Sequence, residues 1–102
     1  MTGLPISNRF SSALTLPEVL DICEAAPLAA SLLAARGNQV VIDASRVEKV
    51  GAQCVQVLLS AHATWLRDGA SFNISSPSRG FVDSLETLGI PVSFFSMQED
   101  SK

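Results

Sequence analysis

One segment, residues 39–59, constrains the fold more than any other, because an apolar run, a short loop and a helical pattern follow one another within it. Val40, Val41 and Ile42 form a β-branched run of the kind that is buried on both faces of a sheet, and Asp43 ends it. The loop of residues 44–51 then leads into apolar residues at helical spacing. A strand followed so closely by a helix predicts an α/β fold with parallel crossovers.

The remaining segments alternate in the same way. Pro27 is tolerated only near the first turn of a helix, so a first helix is predicted to start at residues 24–26 and to end at Arg36, with Gly37 as its left-handed cap. Ser76 and Pro77 predict the N-cap and first position of a third helix. That helix is expected to turn three apolar side chains inward, namely Phe81, Leu85 and Leu88.

The whole chain is predicted to form a single domain over residues 1–102. Its α/β fold is expected to hold a sheet of about four to five mostly parallel strands with three to four helices. The other predicted parts are an irregular lead-in over residues 1–10, a strand or strand pair over residues 10–16, a second helix over residues 52–67, a strand over residues 71–74, an edge strand over residues 92–95 and a polar tail over residues 97–102.

The second predicted helix carries unusually much apolar surface. At about 100° per residue its polar side chains gather in one narrow sector, and the rest of its circumference is apolar apart from His62. A helix lying on a sheet needs a narrower apolar stripe than this. Either the neighbouring helices cover the excess or a partner docks on its exposed edge. The polar sector consists of Gln56, Ser60, Thr64 and Arg67.

Charge and hydropathy exclude two classes of partner. The net charge is −3, with seven basic and ten acidic residues scattered along the chain, so no basic patch for nucleic acid is expected. No apolar run approaches the roughly 20 residues that cross a bilayer, and direct membrane insertion is not expected. The first ten residues lack the pattern of a secretory signal, which predicts a cytoplasmic protein. Cys23 and Cys54 are therefore expected to be reduced; packing is favoured for Cys54 over a reactive thiol at a helix start.

The residues that could support catalysis are few. His62 is the only histidine and lies among leucines, so we expect it to be packed and hydrogen-bonded, or to lie at an interface edge. Asp43 and Ser45 are interpreted as loop and turn formers, and Trp65 as a core residue. No metal-ligand spacing and no phosphate-binding loop is present, so neither an enzyme nor a cofactor is predicted. An enzyme or small-molecule binder using Asp43, Ser45 and His62 is the alternative.

The register of several segments resembles the STAS family, which is shared by anti-sigma factor antagonists and sulphate transporter tails. The family text, roughly V-D-L-S-x-V-x-x-[VI]-D-[ST]-[SAG]-G-L, is similar to residues 42–55, IDASRVEKVGAQCV. The segment SSPSRGFVDSLETLGI is similar to the family's closing S-P-x-V-x-x-x-L-x-x-x-G-L. In this register Gly51 stands where the family has Asp, and Ala52 stands at the phosphorylated Ser or Thr. Ala52 is thus a degenerate phosphosite position.

The resemblance implies a non-enzymatic regulatory module that binds another protein. A narrower likeness, to small divergent STAS proteins of alphaproteobacterial chemotaxis gene clusters, implies docking on a chemotaxis histidine kinase and modulation of its complex with a response regulator. The alternative is an anti-sigma factor antagonist or an accessory STAS subunit of a membrane transporter. Monomer and dimer both stay open. The expected partner-binding residues are Arg46, Glu48, Lys49, Gly51, Ala52, Gln53, Cys54, Val55, Gln56 and Val57.

Overall fold

The computed structural model describes residues 11–95, so the predicted lead-in of residues 1–10 and the tail of residues 97–102 lie outside the described residues. Strands and helices alternate as expected from the sequence, and five strands and three helices are seen within this range. In chain order they are β1 Ser11–Thr15, β2 Val19–Leu20, α1 Ile22–Ala35, β3 Gln39–Asp43, β4 Lys49–Val50, α2 Ala52–Asp68, β5 Phe72–Ser75 and α3 Arg79–Thr87.

The main sheet has three parallel strands in the order β1-β3-β5, which confirms the predicted α/β class. Because successive strands are added in one direction through helical crossovers of one hand, α1 and α2 lie on the same face and pack against each other. A second sheet joins β2 to β4, also in parallel, beyond the carboxyl ends of β1 and β3. The short strands β2 and β4 leave no clear trace in the sequence.

The core lies between the main sheet and the two helices. Val40 and Ile42 are fully buried, whereas Val41 is only half-buried, so β3 alternates and is not buried on both faces as predicted. From α2, Leu58 and Trp65 enter this core, and the Trp65 indole N–H donates to the Asn38 carbonyl at 2.7 Å. The core position predicted for Trp65 is confirmed.

The start of α1 differs from its prediction. The helix begins at Ile22, where the Asp21 carboxylate accepts a hydrogen bond from the Cys23 amide at 3.0 Å and caps it. Pro27 is therefore the sixth residue of the helix and not a first-turn residue. A proline there lacks one helical N–H, but the capped turn before it is already closed. At the other end Gly37 has the predicted positive φ, 98°.

The start of α3 also differs from its prediction. Its N-cap is Ser78, whose hydroxyl accepts from the Phe81 amide at 3.1 Å, and Ser76 adopts a positive φ of 50° instead of capping. Phe81 and Leu85 are buried as predicted. Leu88 is 42% exposed because the helix ends at Thr87.

Residues 92–95 form a 3₁₀ turn and not the predicted edge strand. The Phe94 amide donates to the Pro91 carbonyl at 2.9 Å. This turn brings Phe94 and Phe95 together against His62, whereas a strand would send adjacent side chains to opposite faces. None of the helices within residues 11–95 has the length and apolar character of a membrane span.

Candidate functional site: a loop and helix start at the carboxyl edge of the sheet

The loop after β3 is anchored by a hydrogen-bonded turn and by side chains that are buried at every third position. Asp43 accepts a hydrogen bond from the Ser45 amide at 2.9 Å, and hydrogen bonds from the Ser45 side chain and backbone lower the pKa of the Asp43 carboxyl. This confirms the predicted turn-forming role of both residues. The buried side chains are Ala44, Val47 and Val50. The exposed residues of the loop are Ser45, Arg46, Glu48 and Lys49.

Two neighbouring elements hold the backbone of this loop. From α3, the Ser78 hydroxyl donates to the Val47 carbonyl, and the Ser84 hydroxyl accepts from the Val50 amide at 3.1 Å. From the side of β2, the Glu18 carbonyl accepts from the amides of Glu48 and Lys49 at 2.6 and 3.2 Å. The loop is thus displayed on a fixed frame, as recognition loops on a rigid scaffold commonly are.

Helix α2 starts directly after the loop. Gly51 is its N-cap and gives no side-chain cap, and its amide donates to the Leu20 carbonyl at 2.8 Å. Ala52 and Gln53 are exposed in the first turn, which contains no acidic residue. The positive end of the helix dipole therefore lies at the surface without a compensating carboxylate in that turn.

Two residues of the predicted partner-binding set do not lie at the surface. Cys54 is fully buried and Val55 is 2% exposed, because both point from the first turns of α2 into the core. Buried side chains cannot contact a partner, so Cys54 and Val55 are removed from the predicted partner-binding set. The others are exposed or partly exposed, and we call them together the docking face: Arg46, Glu48, Lys49, Gly51, Ala52, Gln53, Gln56 and Val57.

A groove of about 450 Å³ runs between α1 and α2 and joins the docking face at Gln53, Gln56 and Val57. Its floor is made of small or buried side chains such as Ala29 and Ala61. Its complete lining is Ala25, Ala29, Leu32, Leu33, Arg36, Gln53, Gln56, Val57, Ser60, Ala61, Thr64 and Trp65. The sequence predicted more apolar surface on α2 than the sheet can cover. It did not predict this groove, because the groove depends on how α1 packs against α2.

The fold and the geometry of this edge agree with a comparison against known families. A family model described as "Mlab, STAS domain" matches residues 7–92, which is most of the chain. The chain belongs to the STAS domain family. No curated protein and no solved structure matches it. STAS domains are generally non-enzymatic modules that regulate other proteins by binding them, and this role is the one that membership supports.

Membership makes position 52 of this STAS domain informative. The sequence register predicts that Ala52 stands where typical members carry a phosphorylated Ser or Thr, and Ala52 is exposed at the start of α2. The place is accessible to a kinase, but the side chain has no hydroxyl. Phosphorylation at position 52, which would add nearly two negative charges beside a helix start, is therefore impossible in this domain.

The thiols of this STAS domain are free. Burial, followed by the negative charges of Glu24 and Asp21, raises the pKa of the Cys54 thiol, and its S–H donates to the Asp21 carbonyl at 3.3 Å. A raised pKa is the opposite of activation by a helix start, so Cys54 is a packed residue. Cys23 is exposed and unpaired, so the two cysteines do not form a disulfide.

The three residues of the alternative enzyme or small-molecule site, Asp43, Ser45 and His62, do not lie together in this STAS domain. Asp43 and Ser45 lie at the carboxyl end of β3, beside Ser75. His62 contacts Phe72, at the opposite end of β5, with ring centroids 5.6 Å apart. Within residues 11–95 no three His, Cys, Asp or Glu side chains are grouped in a way that would hold a metal ion.

His62 is instead enclosed by aromatic rings. It is 4% exposed, it packs against Phe72, Phe94 and Phe95, and its Nε2 has no hydrogen-bond partner among the described residues. The predicted packing is confirmed, whereas the predicted hydrogen bond is not found at Nε2 among the described residues. Burial lowers the pKa of His62, because a charged imidazole would be desolvated there.

This burial predicts a pH dependence of stability. The unfolded chain protonates His62 below about pH 6.5, whereas the folded chain does so only at lower pH. The stabilisation is thus complete above pH 6.5 and is lost as the pH falls toward the folded pKa, by at most about 1.4 kcal/mol per pH unit. Urea unfolding at pH 7.5 and 5.5 measures it. We expect His62→Phe to flatten this dependence, and equal slopes in both proteins would contradict the prediction.

Proposed function

We propose that this STAS domain is a non-enzymatic regulatory module that docks a signalling histidine kinase of a chemotaxis-type pathway through its docking face. The observation that carries the docking is the fixed loop beside an exposed helix start. Arg46, Glu48 and Lys49 project from a backbone that α3 and β2 hold in place. The choice of a kinase rests on the likeness of residues 39–59 to small STAS proteins of chemotaxis gene clusters.

Binding is proposed to act by differential affinity. A protein that prefers one kinase conformation, or the complex of the kinase with its response regulator, shifts the population toward that state. Because position 52 carries no hydroxyl, control comes from the abundance of the domain or from the state of the partner. The proposal places the interaction in the cytoplasm, where such kinases phosphorylate their regulators.

The same docking face serves a second candidate. The family match describes a STAS domain and names no signalling partner. The second candidate function is that of an anti-sigma factor antagonist or of an accessory subunit of a membrane transporter, which would bind its partner through the same surface. Typical members of the family depend on the hydroxyl that Ala52 lacks, which favours the kinase proposal.

The test is a negative charge at the degenerate phosphosite. Ala52→Glu puts a carboxylate in the first turn of α2, where the helix dipole stabilises it by about 0.3–1 kcal/mol, so the fold is expected to persist. Affinity capture from native lysate, followed by mass spectrometry, is expected to recover a histidine kinase with the wild type. We expect the variant to lose most of it, since a charge imposed on an interface costs several kcal/mol when it is unpaired.

Ala63→Glu is the matched control, because Ala63 is also an exposed alanine of α2 and lies about 16 Å farther along the helix. It should retain the kinase. Recovery of a transporter ATPase or a sigma-controlling kinase in its place would replace the proposed partner. Equal recovery by both variants would remove the docking face from the interaction.

A further inference from the structure

The groove between α1 and α2 has two unlike walls. On the α1 side it is apolar, with Ala25 and Ala29 beside Leu33, which is 69% exposed. On the α2 side uncharged hydrogen-bonding groups stand in a row above the apolar side chains of that helix. The row consists of Gln53, Gln56, Ser60 and Thr64, and the apolar side chains are Val57, Ala61 and Trp65. Gln56, Ser60 and Thr64 are three of the four residues in the polar sector that the sequence shows on α2. Such a groove fits an element that is apolar along one side and polar along the other.

The length of the groove fits a helix. Residues 53 to 64 of α2 span about 17 Å, which is about three turns of a helix lying alongside. Small side chains at Ala25, Ala29 and Ala61 leave room along the floor for larger apolar side chains of the occupant. Helix-in-groove recognition uses such anchors at spacings of three, four and seven residues.

Charges at the two ends give the occupant a direction. Arg36 lines one end and stays 51% exposed although it pairs with Asp68 at 2.9 Å. At the other end the Asp21 carbonyl accepts from the Cys54 thiol at 3.3 Å, and Glu24 directly precedes Ala25, which lines the groove. An occupant that runs antiparallel to α1 and α2 places an acidic first turn beside Arg36 and a basic last turn beside Glu24. Helices favour these charges at these ends.

We propose that the groove binds an amphipathic helix of the partner protein, about three turns long and antiparallel to α1 and α2, with an acidic first turn and a basic last turn. The inference rests on the proposed function, because the groove continues the docking face at Gln53, Gln56 and Val57. It specifies which element of the partner is recognised.

The experiment uses the full 102-residue chain as bait for a displayed library of helix-biased 16-residue peptides. The expected peptides carry an apolar stripe at helical spacing with acidic and basic ends in the stated order. A synthetic peptide of that sequence is then measured by calorimetry. Ser60→Trp fills the groove from an exposed position and is expected to weaken binding about tenfold or more. Ala30→Trp, exposed on α1 and outside the groove, is expected to leave the affinity within about twofold.

Three results would overturn the inference: no enriched helical peptide, enriched peptides that bind Ser60→Trp as well as wild type, or a dimer in sedimentation velocity that Ser60→Trp dissolves. The last would assign the groove to a second copy of the chain. Failure here is separable from failure of the proposed function. If the kinase is captured equally by wild type and Ser60→Trp, only the proposal that the groove binds a helix is contradicted. If the peptides bind but no kinase is captured, only the proposal that the partner is a histidine kinase is contradicted.

Discussion

Val55→Glu is expected to destabilise the domain strongly and not only to block its partner. Val55 is 2% exposed in the first turns of α2, next to the fully buried Cys54. A carboxylate there is buried without a partner, which costs about 3–5 kcal/mol. This is a large part of the total of about 5–15 kcal/mol by which domains of this kind are stable. Urea unfolding followed by circular dichroism measures the loss.

The neighbouring position provides the control for this prediction. Gln56 is exposed and lies on the docking face, so Gln56→Glu should change the free energy of unfolding by no more than about 0.5 kcal/mol. A Val55→Glu variant with the wild-type unfolding midpoint would contradict the placement of Val55 in the core. The pair also shows why a binding test on this helix start must use exposed residues, since an unfolded variant loses every partner.

Gly80→Ala is expected to loosen the loop that carries the docking face. A Cβ at position 80 would lie 2.7 Å from the Glu48 carbonyl carbon and 2.8 Å from its Cα, distances that backbone atoms do not tolerate. Alanine improves helix propensity by up to about 1 kcal/mol, but overpacking of this kind typically costs about 1–3 kcal/mol. We therefore expect net destabilisation, with faster amide exchange at Glu48, Lys49 and Val50.

Arg79→Ala serves as the comparison for this effect, because Arg79 precedes Gly80 on α3 and is exposed. Its unfolding midpoint and its exchange rates should match the wild type. If Gly80→Ala stabilised the protein and left the exchange of the loop unchanged, the close approach of α3 to Glu48 would not constrain the loop.

Local sequence patterns were sufficient at several positions where a residue acts on its own neighbours, although the cap of α1 by Asp21 was missed. Asp43 ends a strand because its carboxylate accepts the Ser45 amide two residues later, and Gly69 ends α2 with a φ of 74°. Both follow from residue type and spacing. The alternation of strands and helices, and with it the parallel α/β class, is determined in the same way.

Positions with two equivalent local solutions needed the tertiary structure. Ser76 and Ser78 both suit an N-cap, and Ser78 takes the role because its hydroxyl and amide also reach the carbonyls of Val47 and Ala44. Leu88 fits the helical spacing of Phe81 and Leu85, but the helix stops before it. No local pattern records where α3 meets the loop.

In the candidate site, too, some features follow from the local sequence and others only from tertiary contacts. By itself the sequence determined that a STAS-like loop precedes a helix and that position 52 lacks a hydroxyl, because both facts reside in consecutive residues. Only the tertiary structure decided that Cys54 and Val55 face the core, and that the polar row of α2 faces the apolar side of α1 across a groove. A 3.6-residue period shows which residues share a helix face, but what that face meets is set by contacts between segments distant in sequence.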